Sequence, residues 1–168
     1  MDLKKLRDDF PALCEEHPVA YLDNACVTLR PQSVINAISD YYTKTPGCGG
    51  RSVHRYGTTV SRTIAQSRRT LSGFFNAPSI NEIVFTRNAT HSLNQVAKGL
   101  SWEKDDIVLT TDREHNSNLV PWLQLEEEQG VDHRVVPSNP DNTFDLEAFE
   151  SMCSEAGSKL RMVSISQV

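Results

Sequence analysis

Between Thr111 and Trp122 the chain reads Thr-Asp-Arg-Glu-His-Asn-Ser-Asn-Leu-Val-Pro-Trp. One histidine, His115, stands there with two asparagines and a serine. Such a group can move a proton, ligate a metal or lie against a flat ring. A second polar cluster runs Thr86-Arg87-Asn88-Ala89-Thr90-His91-Ser92-Leu93-Asn94. If it opens a helix, the N–H groups of Ala89 and Thr90, with the Thr90 hydroxyl beside them, make an anion pocket, and phosphate is the natural guest. Plainer explanations exist for both. Asn88 or Thr90 can serve only as a helix cap, and His115 only as a hydrogen-bonded turn residue. The glycines and lysine of a Walker A loop are missing, and no dinucleotide-binding glycine fingerprint occurs. A zinc site on His91 and His115 lacks a third ligand at sensible spacing, so no metal site is expected.

The elements that must position these clusters follow from periodicity. Apolar runs at 83–85, 107–109, 131–136 and 160–165 read as strands, and helical spacing covers 89–99, 117–129 and 145–156. Strands alternating with helices imply an α/β fold, a mostly parallel sheet with helices on both faces. Gly99 and Gly130 sit where helices should end. Both polar clusters then fall at strand-to-helix turns of successive units, near each other at the carboxyl edge of the sheet, where such folds bind ligands. A phosphate at Ala89-Thr90 and a ring at His115 would suit a flat phosphorylated cofactor.

Upstream, a short surface helix is expected near the amino terminus, then a brief apolar run, Val19-Ala20-Tyr21-Leu22. Pro31 opens a helix with Val34, Ile35, Ile38, Tyr41 and Tyr42 on one face, broken by residues 45–50. A further helix over 59–75 carries Val60, Ile64, Leu71, Phe74 and Phe75 at helical spacing, with Arg62, Arg68 and Arg69 mostly on the other, solvated face. His17 and His133 read as surface residues. The terminal strand-like segment, 160–165, has no closing helix after it, which implies an edge completed by further chain or by another molecule.

The chain has 168 residues and a net charge of -5. There is no basic run to favour nucleic acid, no apolar stretch long enough for a membrane span, and no signal-peptide pattern, so a cytoplasmic setting is expected. Cys14, Cys26, Cys48 and Cys153 stand far apart. They read as reduced thiols, Cys26 as a small buried one. Cys48 lies in a glycine-rich, flexible and exposed segment beside Arg51, a setting that favours thiolate.

Four runs in order, Tyr21-Leu22-Asp23-Asn24-Ala25, Ser52-Val53-His54-Arg55, Glu82 to Thr90, and Glu114-His115-Asn116-Ser117-Asn118-Leu119-Val120-Pro121-Trp122, resemble the amino-terminal part of class V aminotransferase-fold enzymes that use pyridoxal phosphate. The match is best to the cysteine desulfurase and selenocysteine lyase branch. The resemblance implies the fold-type I large domain, incomplete over 21–168 behind an amino-terminal segment at 1–20. It implies pyridoxal 5'-phosphate as cofactor, with Ala89 and Thr90 on the phosphate and His115 stacked on the ring. Asn24 and Ala25 would line the substrate end, and His54 and Arg55 the substrate mouth at a homodimer interface. The substrate would be L-cysteine or a related amino acid, converted to alanine and an enzyme persulfide. A sulfur-acceptor protein and iron–sulfur cluster assembly would be the wider setting. The branch often has Thr-Thr-Glu where this chain has Ala89-Thr90-His91, and a second histidine at Asn116. The family's Schiff-base lysine and acceptor cysteine have no counterpart in these residues, so no catalytic residue is assigned and the chain alone is expected to be inactive. A selenocysteine lyase, an epimerase, an aminotransferase, or a non-catalytic phosphate-binding remnant would share the scaffold.

Overall fold

The computed structural model describes residues 2–14, 20–51 and 53–166. His17, Val19 and Ser52 lie outside them. The chain divides into two compact units, Met1–Val84 and Phe85–Val168.

The first unit is helical. Asp2 caps the short helix α1 (Leu3–Asp8) by accepting from the Lys4 and Lys5 N–H groups. Pro31 stands at the N-cap of α2 (Gln32–Lys44), with no side-chain cap bond. The start of α2 is tied to the end of α1, because the Gln32 N–H donates to the Asp9 carbonyl at 2.8 Å. The apolar face expected for α2 forms, yet none of its residues is buried. Helix α3 (Arg55–Phe74) begins four residues before the apolar periodicity does, because His54 supplies the cap. Arg62 and Arg69 are exposed as expected, whereas Arg68 is half-buried. The glycine-rich segment is held rather than loose. A side chain at Gly47 would meet the Tyr56 backbone at 2.9 Å, and the Gly50 N–H donates to Ser61 Oγ at 2.9 Å. Cys48 itself stays exposed. Cys26 is exposed too, not buried, because it sits in an open turn.

The second unit is the α/β part. Helix α4 (Ala89–Gly99) precedes β1 (Ile107–Thr111), α5 (Asn116–Gln129), β2 (Asp132–Val136), α6 (Leu146–Ala156) and β3 (Leu160–Val163). The three strands are parallel, in the order β2-β1-β3. The central strand is buried along its whole length, as an apolar run covered on both faces should be. Alternation sends Val108 to one face, where it packs with Ala97, Trp122, Leu125 and Val131. Ile107 and Leu109 go to the other, with Val136 and Ala156. The crossovers through α5 and α6 run to opposite sides of β1. Right-handed crossovers must then place the two helices on opposite faces. Trp122 is the largest fully buried side chain, and its ring meets Trp102 edge-on at 6.2 Å.

Two local expectations change and one holds. Residues 83–85 form no strand. Val84 and Phe85 are exposed, so the apolar character of the run is not matched by the burial a covered strand would have. Both glycines end their helices as expected: Gly130 is the left-handed cap of α5 (φ 72°), and Gly99 is the last residue of α4, before Leu100 leaves in extended backbone. His133 is not a surface residue. It is half-buried on β2, with Nε2 2.9 Å from Thr110 Oγ1 across the strand pair, and burial holds its pKa below the ordinary histidine value against the pull of Glu126 and Asp132. Among the described residues no helix is long and apolar enough to cross a membrane.

Candidate functional site

In a sheet ordered β2-β1-β3, connections leave β1 and β2 in opposite directions. The crevice at the carboxyl ends of β1 and β3 is therefore the topological switch point, where α/β sheets bind ligands. The turn after β1 opens there. His115 is the N-cap of α5, and its Nδ1 accepts from the Ser117 N–H at 3.1 Å. A ring nitrogen that accepts an N–H carries no proton, so in the neutral imidazole the proton stands on Nε2. The Ser117 hydroxyl lies 2.9 Å from the same Nδ1. The ring is thus held by one edge while the residue stays exposed. Capping and ring-stacking are compatible, since the cap fixes the imidazole without covering it.

The turn before α4 has the matching form. Asn88 caps the helix with Oδ1 accepting from the His91 N–H at 2.9 Å, and its carbonyl takes the Ser92 N–H at 3.1 Å. The cap engages neither Ala89 nor Thr90, the first two residues of the helix, and both are exposed. Thr86 Oγ1 and Ser92 Oγ, 2.6 Å apart, brace the turn. His91 folds back on it, with Nδ1 3.4 Å from the Arg87 N–H, and no acidic residue lies in the first turn. These features fit a phosphate group: two leading N–H groups, a hydroxyl, the positive end of an 11-residue helix and no carboxylate to repel the anion. Leu93 and Ala97 of α4 share a core cluster with Trp122 and Leu125 of α5, so the helices that carry the two turns pack together.

The remaining sequence-assigned residues belong to the helical unit. Asn24 and Ala25 form an exposed turn, closed by the Val27 N–H donating to the Asp23 carbonyl at 3.0 Å. Tyr21 braces that turn, its hydroxyl donating to the Val27 carbonyl at 2.5 Å. His54 caps α3, its Nδ1 3.4 Å from the Gly57 N–H, and Arg55 is the first helical residue. Both are exposed.

Sequence reasoning missed the polar groups around His115. Asp112 Oδ1 and Oδ2 accept from the Ser138 hydroxyl at 2.5 Å and its N–H at 3.1 Å, which hold the carboxyl below the usual aspartate range. Arg113 reaches Asn142 and Ser138. Arg113, Ser138 and Asn142 border a cleft of about 460 Å3, lined also by Thr111, Phe144, Ile165 and Ser166. Glu114, Asn118 and Trp122 form a ladder at four-residue intervals. Asn118 Nδ2 donates to Glu114 at 2.7 Å, and Trp122 Nε1 donates to Asn118 Oδ1 at 3.2 Å. That spacing was visible in the sequence and could have flagged them.

The sequence profile of the family described as "Aminotransferase class-V" matches residues 20–168. The chain belongs to the class V aminotransferase family. Its relatives agree. A probable cysteine desulfurase of Synechocystis is 36% identical over 169 residues, covering 96% of this chain and 40% of that protein. The apo cysteine desulfurase of Thermococcus onnurineus NA1 superposes with a TM-score of 0.83 at 31% identity, covering 96% of this chain and 39% of that one. C-DES, solved in a mutant form with glycine covalently linked to its PLP cofactor, gives 0.76 at 27% identity, covering 95% and 40%. The chain thus spans about 40% of the length of the class V relatives it matches.

Proposed function

We propose that these residues build the amino-terminal side of the pyridoxal 5'-phosphate site of a cysteine desulfurase. The observation that carries this is the pair of capped turns. One leaves two leading helix N–H groups clear of its cap at Ala89-Thr90, and the other holds the His115 ring by a single edge. Ala89 and Thr90 take the phosphate, and His115 lies against the pyridine ring. Bound there, the cofactor would supply an electron sink for amino-acid chemistry. Asn24, Ala25, His54 and Arg55 serve the substrate, L-cysteine, in a homodimer working in the cytoplasm with a sulfur-acceptor protein. Overall, a thiol takes the sulfur of L-cysteine to become a persulfide, and its hydrogen goes to carbon to give L-alanine.

Covalent attachment of the cofactor needs a lysine, and the sheet unit offers none at the right end. Lys104 precedes β1, Lys159 precedes β3, and Lys98 closes the helix before β1, so all three stand toward the amino end of the strands. The 168-residue chain, given pyridoxal 5'-phosphate and L-cysteine, should release no alanine. A protein in which these residues are joined to the remainder of the family's fold should release alanine and form persulfide in equal amounts. Preference for selenocysteine, racemised substrate, or an amino group passed to a keto acid would each replace the desulfurase assignment with a rival on the same scaffold.

A further inference from the structure

Glu114 is a charged group in the site turn that no role above uses. It is half-buried between β1 and α5, and its carboxylate gathers four donors from three places. Thr111 Oγ1, at the end of β1, donates to Oε1 at 2.8 Å. Asn118 Nδ2, in the first turn of α5, donates to Oε2 at 2.7 Å. Beyond β3, the Ser166 N–H lies 3.0 and 3.1 Å from the two oxygens, and the Ser166 hydroxyl donates to Oε2 at 2.6 Å. All four donors are neutral, and the adjacent charges turn elsewhere, Asp112 to Ser138 and Arg113 to Ser138 and Asn142. An ionised carboxylate only accepts, which suits this cluster, whereas an amide would set its own N–H groups against some of the donors.

Glu114 does not cap α5, because His115 already does. What its bonds accomplish is to join two segments at the carboxyl edge of the sheet. One is the turn that presents His115. The other is the stretch from Ser164 to Ser166, which enters the cleft lined by Thr111, Arg113 and Ser166. Asn118 reinforces the junction by donating to the Ser164 carbonyl at 3.1 Å.

We propose that Glu114 is the positioning residue of this site: its carboxylate locks the turn bearing His115 to the segment leaving β3, and so sets where the imidazole ring stands. The inference rests on reading His115 as the residue that faces the cofactor ring. Glu114 touches no ligand itself and acts through its neighbours.

The test compares the 168-residue chain with its Glu114→Gln variant by NMR. Hydrogen exchange at the Ser166 amide is followed against pH, and pyridoxal 5'-phosphate and inorganic phosphate are titrated in, read at the His115 ring and at the Ala89 and Thr90 amides. The wild type should protect Ser166 near neutrality and lose that protection in acid. Glu114→Gln should lose it at least tenfold at every pH. The variant should bind pyridoxal 5'-phosphate at least tenfold more weakly while its affinity for inorganic phosphate is unchanged. Should the variant not fold, acidified wild type replaces it: Ser166 must then lose protection before the β1 amides do. A His115 response that survives intact in Glu114→Gln overturns the proposal alone, as does equal weakening of both probes, which means general disruption. No His115 response in the wild type, with Ser166 still clamped, overturns the cofactor reading and the proposal with it.

Discussion

Trp122 Nε1 donates a hydrogen bond to Asn118 Oδ1 one turn earlier in α5, and both side chains are buried. The indole N–H has no water to turn to, so the asparagine is a structural necessity of the Asn-x-x-x-Trp spacing. The same amide reaches Glu114 and Ser164. Asn118→Leu should therefore cost more than its burial would suggest, about 1–3 kcal/mol for the stranded indole N–H alone. Urea unfolding followed by Trp fluorescence measures it, and an unchanged midpoint would contradict this role.

The two helix-ending glycines should respond oppositely to alanine. Gly130 has φ 72° and a Cβ there would come within 3.3 Å of Lys104 Cγ, so Gly130→Ala should destabilise by about 1–2 kcal/mol. Gly99 has open space around it and helical backbone, so Gly99→Ala should be neutral or stabilise by up to about 1 kcal/mol. Thermal midpoints of the two variants check the contrast.

His133 should make stability depend on pH. Burial lowers its pKa in the folded chain, partly countered by Glu126 and Asp132, so the unfolded chain binds the proton more readily. Its contribution is present above the ordinary histidine pKa and is lost as pH falls through the lowered, folded value. Glu114 adds a loss at lower pH. Burial alone would raise its pKa, but the bonds from Ser166, Asn118 and Thr111 outweigh that and hold it below the usual glutamate range. Stability should thus fall in two stages on acidification. His133→Gln should flatten the first, which begins as pH falls below the ordinary histidine pKa, and leave the second.

The sequence makes the elements of the sheet unit legible because each carries its own local signal. Asn88 and Asp145 mark helix starts, an apolar run marks β1, and apolar residues mark the end of β2 and alternate positions of β3. The two site turns were legible for the same reason, as polar clusters between a strand-like run and a helical one. What stayed hidden depends on partners far along the chain. Residues 83–85 look like a strand but form none. His133 is inward because register sets it opposite Val108, within reach of Thr110 on the same face. The Glu114 clamp closes on Ser166, 52 residues away, a contact no local pattern announces.

The central claim is that the Ala89-Thr90 turn and His115 together hold pyridoxal 5'-phosphate. Its most direct test is the dissociation constant of that cofactor for the chain and for two variants that keep the local fold. Thr90→Val keeps side-chain shape, and His115→Asn keeps a good helix cap while removing the ring. The account predicts that each variant weakens binding by roughly tenfold, about 1.4 kcal/mol, and that pyridoxal without its phosphate is insensitive to Thr90→Val. Equal dissociation constants for the wild type and both variants would contradict it.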